Sequence, residues 1–146
     1  MSKILLVEDD PTNAEIVTRI LTIKNHDVVH AADGPAGVSL AGSERPDLIL
    51  MDMLLPNRGD GQKATREIRA LDGLAAVPIL ALTALCMPDE VKEMYEAGCT
   101  DVVLKPIDFN QLLGKIANLL TLGTKTRNLP TPSPTWIRFG SGAMPR

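Results

Sequence analysis

Asp47–Pro56 reads D-L-I-L-M-D-M-L-L-P: four apolar residues, Leu48–Met51, run straight into an aspartate, Asp52. A short continuous apolar run between polar residues reads as a strand covered on both faces. An acid at the end of such a strand costs stability unless it is paired or bound to a cation. Three more runs have the same form. Ile4–Val7 leads into Asp9-Asp10, Ile79–Leu82 into Thr83, and Val102–Leu104 into Lys105. If these are parallel strands, their polar successors meet at the carboxyl edge of one sheet, where open α/β folds bind ligands. Three carboxylates, a hydroxyl and an ammonium in one crevice point to a divalent metal and a phosphoryl group.

Outward from these runs the pattern alternates. Val28–Ala31 supplies a fifth strand. Thr12–Lys24 reads as a helix with Ile16, Ile20 and Ile23 along one face, widened by Val17 and Leu21. Further helices are expected over Pro35–Ser43 and over Gly61–Leu71, the second with Ala64, Ile68 and Leu71 at helical spacing. Another starts at Pro88 and stops at Gly98, and a last one is capped by Asp108 ahead of Leu112, Leu113, Ile116, Leu119 and Leu120. Five strands and five helices in strict alternation predict an α/β fold of the flavodoxin-like (βα)5 type. It is a three-layer sandwich whose parallel five-stranded sheet runs in the order 2-1-3-4-5. That order sets Asp9 and Asp10 beside Asp52, with Thr83 and Lys105 following.

The chain has 146 residues, 23% charged and 45% apolar, a one-domain length with an ordinary balance. Its formal net charge of -3 is unevenly spread. From Gly123 onward Lys125, Arg127, Arg138 and Arg146 stand without an acid, which leaves eleven bases against eighteen acids, a charge of -7, before that point. So acidic a body does not seek nucleic acid by itself. Neither a signal-peptide core nor a membrane span is visible, and the cytoplasm is the expected compartment. Cys86 and Cys99 have no metal spacing; Cys99 reads as a small buried residue, and Cys86 could modulate a site at Thr83.

The stretches ILLVEDD (Ile4–Asp10), DLILMDMLLP (Asp47–Pro56), ILALTA (Ile79–Ala84) and VLKP (Val103–Pro106) together resemble the receiver domain of two-component response regulators, of the chemotaxis-regulator-like, single-domain type. The resemblance covers roughly residues 3–121. It implies that Asp52 is the phosphoacceptor, with Asp9 and Asp10, Asp52 itself and the Leu54 carbonyl holding Mg²⁺ or Mn²⁺. It also implies that Lys105 pairs with a phosphoryl oxygen and that Thr83 donates its hydroxyl to another. Thr83, Ala84, Val102 and Pro106 fall at switch or structural positions, the last after a cis peptide bond. The implied partners are a histidine kinase or phosphotransfer protein and a downstream protein target, with no direct nucleic acid or membrane contact; monomer and homodimer both remain open. Such a protein catalyses only its own phosphorylation and dephosphorylation. Asp10, ahead of Pro11 and Thr12, also fits an ordinary helix cap.

Three departures from the family pattern stand out. The loop Pro56–Gly61 carries one extra residue, and Val102 replaces the usual Tyr or Phe, leaving Met94 and Tyr95 as candidates for an exposed apolar contact. Leu54 and Leu85 are apolar at positions that influence attack by water, which predicts slow self-dephosphorylation. The receiver is expected over residues 1–122 and a Pro-rich, basic C-terminal tail, flexible or docking, over 123–146. In that tail Pro130, Pro132 and Pro134 favour extended backbone ahead of Trp136–Phe139. With no room for an effector domain, the reading is a stand-alone response regulator. The alternatives are a phosphate sink or relay intermediate, and a phosphorylation-independent interaction module. A flavin-binding protein is disfavoured by Glu8-Asp9-Asp10, which would repel a phosphate, and a two-aspartate phosphatase by Leu54.

Overall fold

The computed structural model describes residues 2–57, 59–84 and 87–128, with side chains through Leu122. Leu85, Cys86 and the tail from Leu129 lie outside the described residues. In chain order the elements are β1 (Lys3–Val7), α1 (Pro11–Ile23), β2 (Asp27–Ala31), α2 (Gly34–Glu44), β3 (Leu48–Asp52), α3 (Asp60–Arg69), β4 (Ile79–Thr83), α4 (Pro88–Ala97), β5 (Asp101–Leu104) and α5 (Phe109–Asn128). The sheet runs β2-β1-β3-β4-β5, and every pairing is parallel. This is the expected flavodoxin-like order.

Alternate residues of each strand point to opposite faces, and both faces are covered. Leu5, Val7, Ile49, Met51, Ile79 and Ala81 pack with Ala41, Ala64, Ile68 and Met94 from α2, α3 and α4. Ile4, Leu6, Leu48, Leu50, Leu80 and Leu82 pack with α1 and α5 through Ala14, Val17, Leu21, Leu112, Ile116 and Leu119. Double coverage is why the strands read as unbroken apolar runs. Each fully buried Leu or Ile contributes about 1.5–3 kcal/mol.

Two helices differ from expectation. In α1 the buried residues are Ala14, Val17 and Leu21, while Ile16 and Ile23 are 43% and 76% exposed. Both stripes repeat every three to four residues and lie about 125° apart, so periodicity leaves open which one meets the sheet. The other difference is length. Helix α5 continues to Asn128, past Leu122 where its apolar spacing stops. Nothing in Gly123–Asn128 breaks a helix as proline does.

The opposite edge of the sheet is tied by Arg69, at the end of α3. Its Nε and Nη2 donate to the Gly98 carbonyl at 2.9 and 2.7 Å, and Nη1 donates to the carbonyls of Leu74 (3.1 Å) and Val77 (2.5 Å). Nη2 also reaches Thr100 Oγ1, which in turn accepts the Ile79 N–H. One guanidinium therefore joins α3, the loop into β4 and the turn from α4 into β5. Gly98 sits at φ +119, and a Cβ there would meet Arg69 Cγ at 2.8 Å.

Candidate functional site

Strand register assembles the site. Val7 lies beside Met51, Asp52 beside Leu82, and Thr83 beside Leu104. One step beyond each pairing, Glu8, Asp52, Thr83 and Lys105 come together at the carboxyl edge. The ladders continue just past the strands: Glu8 N–H donates to Ala31 O at 3.0 Å, Met53 N–H to Leu82 O at 3.1 Å and Lys105 N–H to Thr83 O at 2.7 Å. The Lys105–Pro106 peptide is cis, as the resemblance implied. Gly61, in the first turn of α3, packs directly on this edge, since a Cβ there would lie 2.5 Å from Asp52 O.

Asp52 is buried, 3% exposed. Its Oδ1 accepts the Leu54 N–H at 3.0 Å, and its Oδ2 lies 3.3 Å from Lys105 Nζ. Lys105 Nζ is also 3.8 Å from Glu8 Oε1. Thr83 is fully buried at the end of β4, and Ala84 is exposed beside it.

The acidic set differs from the expected one by a residue. Oxygens of Glu8, Asp9 and Asp52 lie within 4.8 Å of one another; among the described residues these are the acids that could hold a metal ion together. Asp10 is exposed and outside that set, because its Oδ1 caps α1, accepting the N–H groups of Thr12 (2.9 Å) and Asn13 (3.4 Å). A carboxylate at this cap satisfies otherwise unpaired helix donors, and that use points it away from Asp52. Glu8 takes the place expected of Asp10. Counting from the last residue of β1 would have found it, since Glu8 is the first residue past Val7.

Three carboxylates with one ammonium make a hard-oxygen, electronegative pocket. Burial, with the hydrogen bond to Asp52 and that residue's charge, pushes the Glu8 carboxyl up to about 7. The Asp10 N–H, 3.2 Å from Glu8 Oε2, and Lys105 oppose the shift. Such a donor set suits Mg²⁺ or Mn²⁺, which take carboxylate, carbonyl and water oxygens.

A family model described as the response regulator receiver domain matches residues 4–117. This chain belongs to the receiver-domain family of response regulators. Receivers are the phosphoacceptor domains of two-component signalling. This receiver is 33% identical to the protein PilH of Pseudomonas aeruginosa, over 82% of the chain and 98% of PilH. It is 34% identical to the DNA-binding transcriptional regulator RpaA of Synechocystis over 82% of its own length, but spans only 49% of that protein. Among solved structures, the receiver domain of a Pseudomonas aeruginosa sensor histidine kinase is 38% identical, with a TM-score of 0.76 over 82% of this chain and 98% of that one. That structure carries a magnesium ion in its active-site cleft. Chemotaxis protein CheY4 of Vibrio cholerae superposes with a TM-score of 0.77 at 28% identity, over 82% of this receiver and 98% of CheY4.

The remaining positions fall as follows. Met94 is buried and Tyr95 exposed, its hydroxyl donating to Asp101 Oδ1 at 3.3 Å. Val102 is half-buried against the α2–α4 side of the core, and Leu54 is half-buried. Cys99 is buried, and desolvation pushes its thiol up to about 11. The expectations placed on Leu85 and Cys86 lie outside the described residues, and no helix among those residues is long and apolar enough to cross a membrane.

Proposed function

We propose that this receiver takes a phosphoryl group onto Asp52 from a histidine kinase or phosphotransfer protein and signals through phosphorylation-dependent protein contact. The observation that carries this reading is the setting of Asp52: buried, at the sheet edge, with Lys105 Nζ 3.3 Å from Oδ2. The Asp52 oxygen attacks phosphorus in line, an O–P acyl phosphate bond forms, and the donor's P–N bond breaks. Lys105 moves from pairing with the carboxylate to pairing with a phosphoryl oxygen, as a point charge suited to either. Thr83, at the end of the neighbouring strand, donates its hydroxyl to a second phosphoryl oxygen and draws the loop toward α4 inward. Glu8, Asp9 and Asp52, whose oxygens lie within 4.8 Å of one another, would hold Mg²⁺ or Mn²⁺ together with the Leu54 carbonyl, and the ion would supply positive charge where the transferring group gathers negative charge.

A protein donor needs a surface beside the site. A groove of about 360 Å³ opens from Glu8 and Lys105 and runs between Asn13, Ile16 and Val17 of α1 and Ile107 and Phe109. It is the apolar surface through which a donor helix could present its phosphohistidine.

The test is intact mass after incubation with acetyl phosphate and Mg²⁺. Wild type should gain one phosphoryl group and Asp52→Ala none. No gain from acetyl phosphate or from any phosphorylated kinase would leave a phosphorylation-independent interaction module. A gain without any partner that prefers the phosphorylated form would favour the phosphate sink.

A further inference from the structure

Ile16, Ile20 and Ile23 recur at the four-then-three spacing of a helix-packing seam, yet they face outward on α1. Ile16 and Ile23 are exposed and Ile20 is half-buried, while the core is served by Ala14, Val17 and Leu21. An apolar stripe of this length on a surface helix marks a contact. We propose that its occupant is the segment Trp136–Phe139 of the same chain, folded back along α1.

Reach supports this occupant. Helices α1 and α5 cover the same sheet face and run in the same direction, and Phe109 lines the same groove as Asn13 and Ile16. At about 1.5 Å per residue, α5 passes the level of Ile23 well before its end, so Asn128 lies roughly 15 Å beyond it. Adding a lateral step of about 10 Å between packed helices, the path from Asn128 is roughly 18 Å to Ile23 and roughly 27 Å to Ile16. A proline-rich strand at about 3.1 Å per residue places Trp136 about 25 Å from Asn128 and Phe139 about 34 Å away. The spacer Leu129–Thr135 therefore delivers Trp136 along the isoleucine stripe and Phe139 to the groove at its upper end.

Composition and charge agree with that path. Trp136 and Phe139 are two of only four aromatic residues in the chain, and with Ile137 they offer three large apolar side chains in four positions. The spacer carries no charge where it passes Arg19 and Lys24, both exposed. Arg138 then arrives at the end of α1 where Asp9, Asp10 and Glu15 are exposed.

Trp136 is the single tryptophan, so full-length protein reports the contact directly. The expected result is an emission maximum to the blue of N-acetyltryptophanamide, with several-fold lower acrylamide quenching, both independent of protein concentration. Ile16→Asp with Ile23→Asp should return both signals toward the free fluorophore. Arg138→Glu, beyond the described residues, should do so while every core side chain stays unchanged. Emission matching the free fluorophore in wild type overturns the proposal. So does a blue shift that survives these substitutions, or one that grows with protein concentration, which would place the segment on a second copy.

Discussion

Glu8 is 2% exposed, accepts the Asp10 N–H and shares a hydrogen bond with Asp52, while Lys105 stays 3.8 Å away. Its carboxyl sits at about 7 in the fold against an ordinary 4.5. Between those values the folded state keeps a proton that the unfolded chain releases, so the stability contributed by Glu8 falls as pH rises from about 4.5 to about 7 and then levels. Glu8→Gln removes this dependence. In metal-free buffer the variant should unfold at a higher temperature than wild type at pH 8, with the gap closing towards pH 4.5; an equal gap at both pH values would refute the assignment. The same residue marks the limit of reading single residues from sequence. Asp52, Thr83 and Lys105 were legible because each ends an apolar run. Glu8 and Asp10 were not told apart, because a helix cap and a metal-holding acid call for the same residue type, and only side-chain direction separates them.

Helices and strands were legible where their boundaries carry their own chemistry. Pro88 opens α4 and Gly98 closes it at positive φ, and the five apolar runs became five strands with small shifts at their ends. Orientation was harder to read: α1 carries two apolar stripes, and packing against Leu112, Ile116 and the sheet selected Ala14, Val17 and Leu21. Arg69 escaped notice altogether, since a basic residue in the last turn of a helix usually reads as a solvated charge. In the fold it donates to three backbone carbonyls and a hydroxyl. Arg69→Met should destabilise the protein by on the order of 3 kcal/mol in urea unfolding, because partly buried acceptors lose a charged donor. Lysine should not rescue it, since one ammonium cannot reproduce a planar fork. The clamp lies at the sheet edge opposite Asp52, so the folded variant should still take up one phosphoryl group. A variant as stable as wild type would show that water satisfies those carbonyls.

At the scale of the whole molecule, the order 2-1-3-4-5 was legible because right-handed crossovers and double coverage leave few alternatives, and topology alone brings together residues 43 to 97 positions apart in the chain, such as Asp9 with Asp52 and Glu8 with Lys105. Such an assembly concentrates negative charge at one point of a body already at -7 before Gly123. A cation that binds there stabilises the fold by mass action. At a concentration one hundred times its dissociation constant, Mg²⁺ should add on the order of 2.7 kcal/mol, a Tm rise of roughly 8–10 °C for a chain of this size. General screening of the acidic surface also stabilises, but it depends on ionic strength and not on the identity of the cation. Thermal melts across a Mg²⁺ series, each matched in ionic strength with NaCl, separate the two effects. The double variant Asp9→Asn with Asp52→Asn should start at a higher Tm than metal-free wild type, because the repulsion is gone, and should respond to Mg²⁺ no more than to NaCl. If wild type and the double variant rise in parallel, the three carboxylates do not form a metal site, and their crowding is a cost the fold carries without return.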